Sequence, residues 1–429
     1  MDDKFNASLQ GSLLDYSHLT GADLFGRTGD FLAWSDERKR QALWPFTRAH
    51  LSPPLTHCTI REQNGEEYKG VNFASQDYLS LASHPRIKRA AINAIEEFGV
   101  HSAGSAALMG STALTQPLAR LLAEHLQMEH AILYPTGWAA GFGVVTGLMR
   151  KSDWIVMDSL AHACLQTATR LGYKNVKLFP HNALDALGEI LHTIRAGDKE
   201  NAILVVTEGL FSMDSDAPDF AAMQAMCTRY QATLLVDVAH DLGSMGPNGG
   251  GNLELQGMLG KVDLVMGSFS KTFASNGGFV ACNSKSVIEY LRCFSSPYTF
   301  SNALSPVQTA IILESLHLVR EQEGAERRAK LIRNANTLRS RLVEHGIEIL
   351  GHPSPIVPAV CSSDQVVRLA SRHLRHAGVL ANVAEFPAVP SGRARFRLQV
   401  MSDHTEEDTV IAANAIAACI GRARQELAA

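Results

Sequence analysis

The chain has 429 residues, of which 46% are hydrophobic and 19% charged, with a formal net charge of -4 at pH 7. This is the composition of an ordinary globular protein with length enough for two domains. The small charge is spread along the chain, so no basic face recommends a nucleic acid or an anionic membrane, and a small-molecule substrate is the natural expectation.

In chain order, the N-terminus MDDKFNASLQGSLLDY has acids where a signal peptide needs bases and lacks an apolar core, so export is not indicated. Residues 1–65, rich in Arg and Trp and ending near SPPL at 52–55, are expected to form an arm. Residues 66–310 read as a large α/β domain. Its longest uncharged run, Ala131 to Met149, approaches the length of a membrane span. Pro135, Gly137, Gly141, Gly143 and Gly147 divide it into a strand, a turn and a helix start instead. Apolar runs then recur between helical patterns: AILYPT, WIVMD, VKLF, AILVVTEG, TLLVDVAH, LVMGSFS and GGFVAC. Continuous runs of this kind indicate strands buried on both faces of a mostly parallel sheet. DFAAMQAMCTRYQA has the spacing of a crossover helix. A long helical pattern from Val307 to Gly346 leads into a smaller α+β domain over residues 311–429. Seven cysteines without a CxxC pair argue against a disulfide framework and a zinc site, and fit a reducing cytoplasm.

The chemistry is carried by one set of spacings. Lys271 lies in GSFSKTF just after a strand, preceded by Ser268 and Ser270, with Asp237 and His240 arriving 34 and 31 residues earlier. An imine-forming lysine needs neighbours that hold it and keep it partly neutral. Hydroxyls and turn amides suit a phosphate, and a carboxylate ending a strand can keep a pyridine nitrogen protonated. Taken singly, the lysine reads as a solvated loop residue, Asp237 as a cap, His240 as a satisfied core histidine and Ser212 as a turn hydroxyl. Their order along one α/β chain is what distinguishes them.

TEGLFSMDSD, LLVDVAHDLGSMGPNGGG, VDLVMGSFSKTF and PYTFSNALSP resemble the α-oxoamine synthases, a family of fold-type-I pyridoxal-phosphate enzymes. The resemblance runs from about Val71 to Thr405. It implies pyridoxal 5'-phosphate (PLP) bound covalently through Lys271, and a homodimer that joins an amino acid to an acyl thioester carried by coenzyme A or a carrier protein. Gly137 and Trp138 then match the phosphate-binding turn, His162 the histidine on the ring, and Ser212 a serine near the cofactor. Asp237 matches the partner of the ring nitrogen and His240 that of the ring oxygen. Ser268 and Ser301 match phosphate ligands, Ser301 from the neighbouring subunit. Arg395 in GRARFRL matches the arginine that grips the substrate carboxylate. The closest look is to bacterial serine palmitoyltransferase, which implies serine, alanine or glycine with a long-chain acyl-CoA. 8-Amino-7-oxononanoate synthase and aminoketone signal synthase activities are the alternatives.

Three positions depart from the family pattern near substrate: Gln76 for asparagine, Ala106 for Arg or His, and Glu385 for arginine. If Glu385 faced a substrate carboxylate, two anions would repel. Either Arg395 takes the carboxylate, or Glu385 reads a cationic group, or its loop is shifted and the side chain solvated. A rival pattern is also present: Thr136 to Gly143 fits TGxxxGxG and Tyr173 to Lys177 fits YxxxK, the marks of short-chain dehydrogenases. Only 36 residues separate Gly137 from Tyr173, too few for that fold. A non-catalytic subunit would lack the lysine that is present here.

Overall fold

The structure is a computed structural model that describes Phe5 and residues 8–429. Residues 1–4 and 6–7 of the expected N-terminal arm lie outside the described residues. Three strands come first: β1 (Ala49–His50), β2 (His57–Arg61) and β3 (Glu67–Phe73). The middle of the chain supplies β4 (His130–Tyr134), β5 (Trp154–Asp158), β6 (Asn175–Phe179) and β7 (Ile203–Glu208). β8 (Thr233–Asp237), β9 (Leu264–Ser268) and β10 (Gly278–Cys282) follow. The last three are β11 (Ile356–Ser362), β12 (Val379–Ala384) and β13 (Ala394–Gln399).

The chain divides into two compact units, one of residues 77–212 and 216–329, the other of residues 1–76, 213–215 and 330–429. In the larger, β4 to β10 form one seven-stranded sheet in the order β4-β10-β9-β8-β7-β5-β6. These are the seven apolar runs of the sequence. β9, β8, β7, β5 and β6 pair in parallel, and β10 runs antiparallel between β9 and β4. Every residue of β7, β9 and β10 is buried, which is why these strands read as continuous rather than alternating apolar runs. Val206, Leu235, Met266 and Val280 meet Val144, Cys164 and Leu165 in one core, where truncating a large side chain to Ala costs about 2–5 kcal/mol. The helix Phe220–Arg229 connects β7 to β8, capped by Asp219, which accepts from the Ala222 amide at 2.9 Å. Residues 131–149 form β4 and the helix Gly137–Leu148, and among the described residues no helix is long and apolar enough to cross a membrane. All seven cysteines are free thiols.

In the other unit six strands lie in the order β1-β2-β3-β12-β13-β11, so N-terminal and C-terminal strands share a sheet. β3 and β12 pair in parallel, Val71 against Val379. Gly70 is needed beside that pairing, since a Cβ there would lie 2.4 Å from the Gly378 carbonyl oxygen. The expected helical run from Val307 is two helices, Pro306–Arg320 and Gln322–Glu344. Glu321 between them is extended, at φ -89° and ψ 172°, which ends one ladder of hydrogen bonds and starts another.

Candidate active site

Carboxyl ends of parallel strands are where open α/β sheets place ligands. Here the segments after β4, β5, β7, β8 and β9 converge on one cavity of about 230 Å³. At one end stand Thr136, Gly137, Trp138, Ser268 and Ser270. Thr136 caps the helix Gly137–Leu148 by accepting the Ala139 amide at 3.0 Å, so the helix N-terminus opens on the cavity. Ser268 Oγ lies 2.8 Å from Ser270 Oγ. Gly137 packs so close that a Cβ would sit 2.4 Å from Ser268 Cβ, and only glycine leaves this cradle open.

The rest of the lining includes the ionisable groups His162, Glu208, Asp237, His240 and Lys271, together with Cys164. Asp237 is buried and accepts the Ala239 amide at 3.0 Å. Burial pushes its carboxyl up, against attraction to His162 and Lys271. Glu208, equally buried, is pushed well above the ordinary carboxylate range by burial and then by the charge of Asp237. His162 accepts the Cys164 amide at Nδ1 (3.3 Å), which places the ring proton on Nε2. Its ring meets Trp138 edge-on at 6.1 Å. His240 Nδ1 lies 2.9 Å from the phenol oxygen of Tyr78. Lys271 is half-buried.

Gly137, Trp138, His162, Asp237, His240, Ser268 and Lys271 therefore share one cavity, whereas Ser212 and Ser301 are outside its lining. Ser301 donates to the Pro297 carbonyl. Glu208, Tyr78 and Cys164 were not singled out from sequence. Glu208 closes a buried, mostly apolar strand, where a carboxylate reads as a strand end, and its strand register with Asp237 has no local signature. A ring nitrogen of His162, Cys164 Sγ and an Asp237 oxygen lie within 4.8 Å of one another. Tyr173 donates toward the Val145 and Met149 carbonyls at 3.4 Å and Lys177 is exposed on β6, so the dehydrogenase pair is not in the cavity.

The remaining predicted residues belong to the other unit. Gln76 is half-buried just after β3. Arg395 on β13 is 1% exposed and paired, through Nη1 to Asp214 at 2.7 Å and the Met213 carbonyl at 2.9 Å, and through Nε to the Arg393 carbonyl. Arg397, two residues on and on the same face of the strand, is half-buried. Glu385 is not solvated. It is 6% exposed and held between two arginines, Arg368 Nε at 2.6 Å and Arg38 Nη1 at 3.4 Å. Arg38 in turn lies over the rings of Trp34 and Trp44. The expected clash at Glu385 does not arise, because its charge is already neutralised inside this unit.

Residues 68–416 match the family model for aminotransferase class I and II. The 8-amino-7-oxononanoate synthase of Salmonella paratyphi B is 37% identical over 341 residues, 80% of this chain and 86% of that protein. The chain belongs to the α-oxoamine synthases. This oxoamine synthase is also 32% identical over 401 residues to the 4-hydroxy-2,2'-bipyrrole-5-methanol synthase of a Serratia species, covering 92% of its own length but only 60% of that relative. Among solved structures, a variant serine palmitoyltransferase of S. paucimobilis with bound PLP–myriocin aldimine superposes with a TM-score of 0.87 at 27% identity, covering 94% of this oxoamine synthase and 100% of that chain.

Proposed function

We propose that the enzyme condenses a small amino acid with an acyl thioester in this cavity, releasing the thiol and carbon dioxide and leaving an α-amino ketone, with PLP held through Lys271. The observation that carries this reading is the convergence of Lys271, Asp237, His240, His162 and the Gly137–Ser268 cradle on one 230 Å³ cavity.

The residues fit the cofactor. A dianionic phosphate suits the end built from a helix N-terminus, the Gly137 cradle and two hydroxyls. A carboxylate as buried as Asp237 calls for a cationic partner, which a protonated ring nitrogen provides. When bound, PLP supplies the electron sink for charge developing on the amino acid α-carbon. Lys271 Nζ would hold the cofactor and, as a free amine, would be the base for the α-proton. His240, backed by Tyr78, serves the ring oxygen. His162 covers the ring, and its Nε2 proton can be donated to the thioester carbonyl as negative charge develops. Ser212 and Ser301 are outside the lining of the cavity, and the resemblance assigns Ser212 a place near the cofactor and Ser301 to the phosphate of the neighbouring subunit in a homodimer. Arg395, paired to Asp214 at 2.7 Å, is the residue to which the resemblance assigns the substrate carboxylate. Gln76 remains a substrate contact.

Serine, alanine or glycine with a long-chain acyl-CoA is the first reading, supported by the extent of the superposition on serine palmitoyltransferase. An 8-amino-7-oxononanoate synthase-like activity is the second, favoured by the higher 37% identity of that relative. Turnover of serine, alanine and glycine, each against short and long acyl-CoA and an acyl-carrier protein, separates them. Rejection of every long chain overturns the first reading.

A further inference from the structure

Glu208 and Asp237 end adjacent parallel strands in register, their Cα atoms paired across β7 and β8. Side chains at paired positions point to one face of a sheet, here into one cavity, and these two are 4% and 5% exposed. The groups that face them come from every neighbouring segment: Asp158, His162 and Cys164 at and after β5, His240 and Asp241 after β8, and Lys271 after β9. Asp158 is committed to His181 at 3.0 Å, and Asp241 accepts the Asn252 amide at 2.7 Å. Two carboxylates this close and this dry do not both ionise, because the first charge raises the cost of the second. Asp237 has the better partners for a charge, namely the Ala239 amide and attraction to His162 and Lys271. Lys271 attracts Glu208 as well, but Glu208 has Asp237 and Asp158 against it and lacks the His162 charge that favours Asp237, and the amide of His162 needs from it only an acceptor oxygen, which a neutral acid still offers.

We infer that Glu208 is a positioning residue that carries the proton of this pair, and so keeps Asp237 ionised toward the cofactor ring nitrogen while anchoring the backbone of His162. The inference rests on the PLP reading of the cavity. It implies that Glu208 is a reserve carboxylate: if Asp237 is made neutral, the repulsion disappears and Glu208 becomes the anion.

A double-mutant cycle on cofactor affinity tests this, with apoprotein titrated by PLP. Glu208→Gln, which mimics the protonated acid, is expected to keep PLP affinity within about threefold. Asp237→Asn should lose about tenfold, and Glu208→Gln in that background at least a further tenfold, because the reserve is gone. Infrared difference spectra of wild-type and Glu208→Gln apoprotein at pH 7 should show one neutral carboxyl lost with Glu208, and Asp237→Asn should lose it too. Loss of affinity in Glu208→Gln as large as in Asp237→Asn would overturn the inference, since Glu208 would then act as an anion. Additive effects in the double variant, or no neutral carboxyl in the wild type, would overturn it as well. Failure of the wild-type protein to bind PLP at all would instead bring down the reading of the cavity itself.

Discussion

The phenol oxygen of Tyr78 lies 2.9 Å from Nδ1 of His240, with both side chains buried. A phenol donating to Nδ1 selects the tautomer with the ring proton on Nε2. Tyr78→Phe should therefore leave PLP bound but move the pH dependence of its absorbance, at a cost of about 1–3 kcal/mol in stability for the orphaned buried nitrogen. A spectral titration identical to wild type would show that Tyr78 does not set the tautomer.

Lys271→Ala should abolish covalent attachment. Borohydride reduction followed by peptide mapping is expected to place the cofactor on Lys271 in the wild type and nowhere in the variant. Asp237→Ala should retain attachment, because the lysine is intact, but lose turnover by at least about a hundredfold as the sink weakens. Attachment in the Lys271 variant would refute the assignment.

Glu385 lies between Arg38 and Arg368, all three side chains at least nine-tenths buried. Removing the acid leaves buried guanidiniums uncompensated, so Glu385→Ala should destabilise by about 3–5 kcal/mol in urea unfolding. A variant of normal stability with an altered KM for the amino acid would mean that Glu385 reads substrate after all.

His181 bridges Asp158 and Asp216, each at 3.0 Å from a ring nitrogen. Burial alone would lower its pKa, but hydrogen bonds to the two carboxylates outweigh that and raise it to about 10. Because the folded value exceeds the unfolded one of about 6.5, this stabilisation is fully present below pH 6.5 and lost as pH rises through about 10. Wild-type stability should fall across that window, and His181→Gln should flatten the fall. Parallel pH profiles for the two proteins would exclude an imidazolium at this position.

Leu108, Met109 and Phe300 are 86%, 90% and 86% exposed, and the bridge between Ser105 and Asn302 ties their two segments together. An apolar patch of this kind beside Ser301 fits a symmetric partner surface. Mixing Lys271→Ala with Ser301→Ala subunits, each inactive alone, should restore part of the activity after exchange. No recovery after proven exchange would contradict shared sites.

What the sequence by itself determined is the large sheet and one half of the site. Strands buried on both faces need continuous apolar runs, and that local rule marks the strands of the larger unit except the edge strand β6, where Lys177 and Leu178 are exposed. Asp237, His240 and Lys271 were legible because each follows such a run, where a strand end places polar groups at the sheet edge. The rest is not local. The pairing of β3 with β12 joins residues some three hundred positions apart, and no periodicity in either segment names its partner. Glu208 acquires its significance from the register of β7 on β8, and Tyr78 from a contact across 162 residues. Whether Glu385 faces substrate or solvent is open in the sequence, because one of its two ion-pair partners, Arg38, lies 347 residues away. The charge a buried carboxylate carries is set by which ions surround it in three dimensions, and only the tertiary structure brings those ions together.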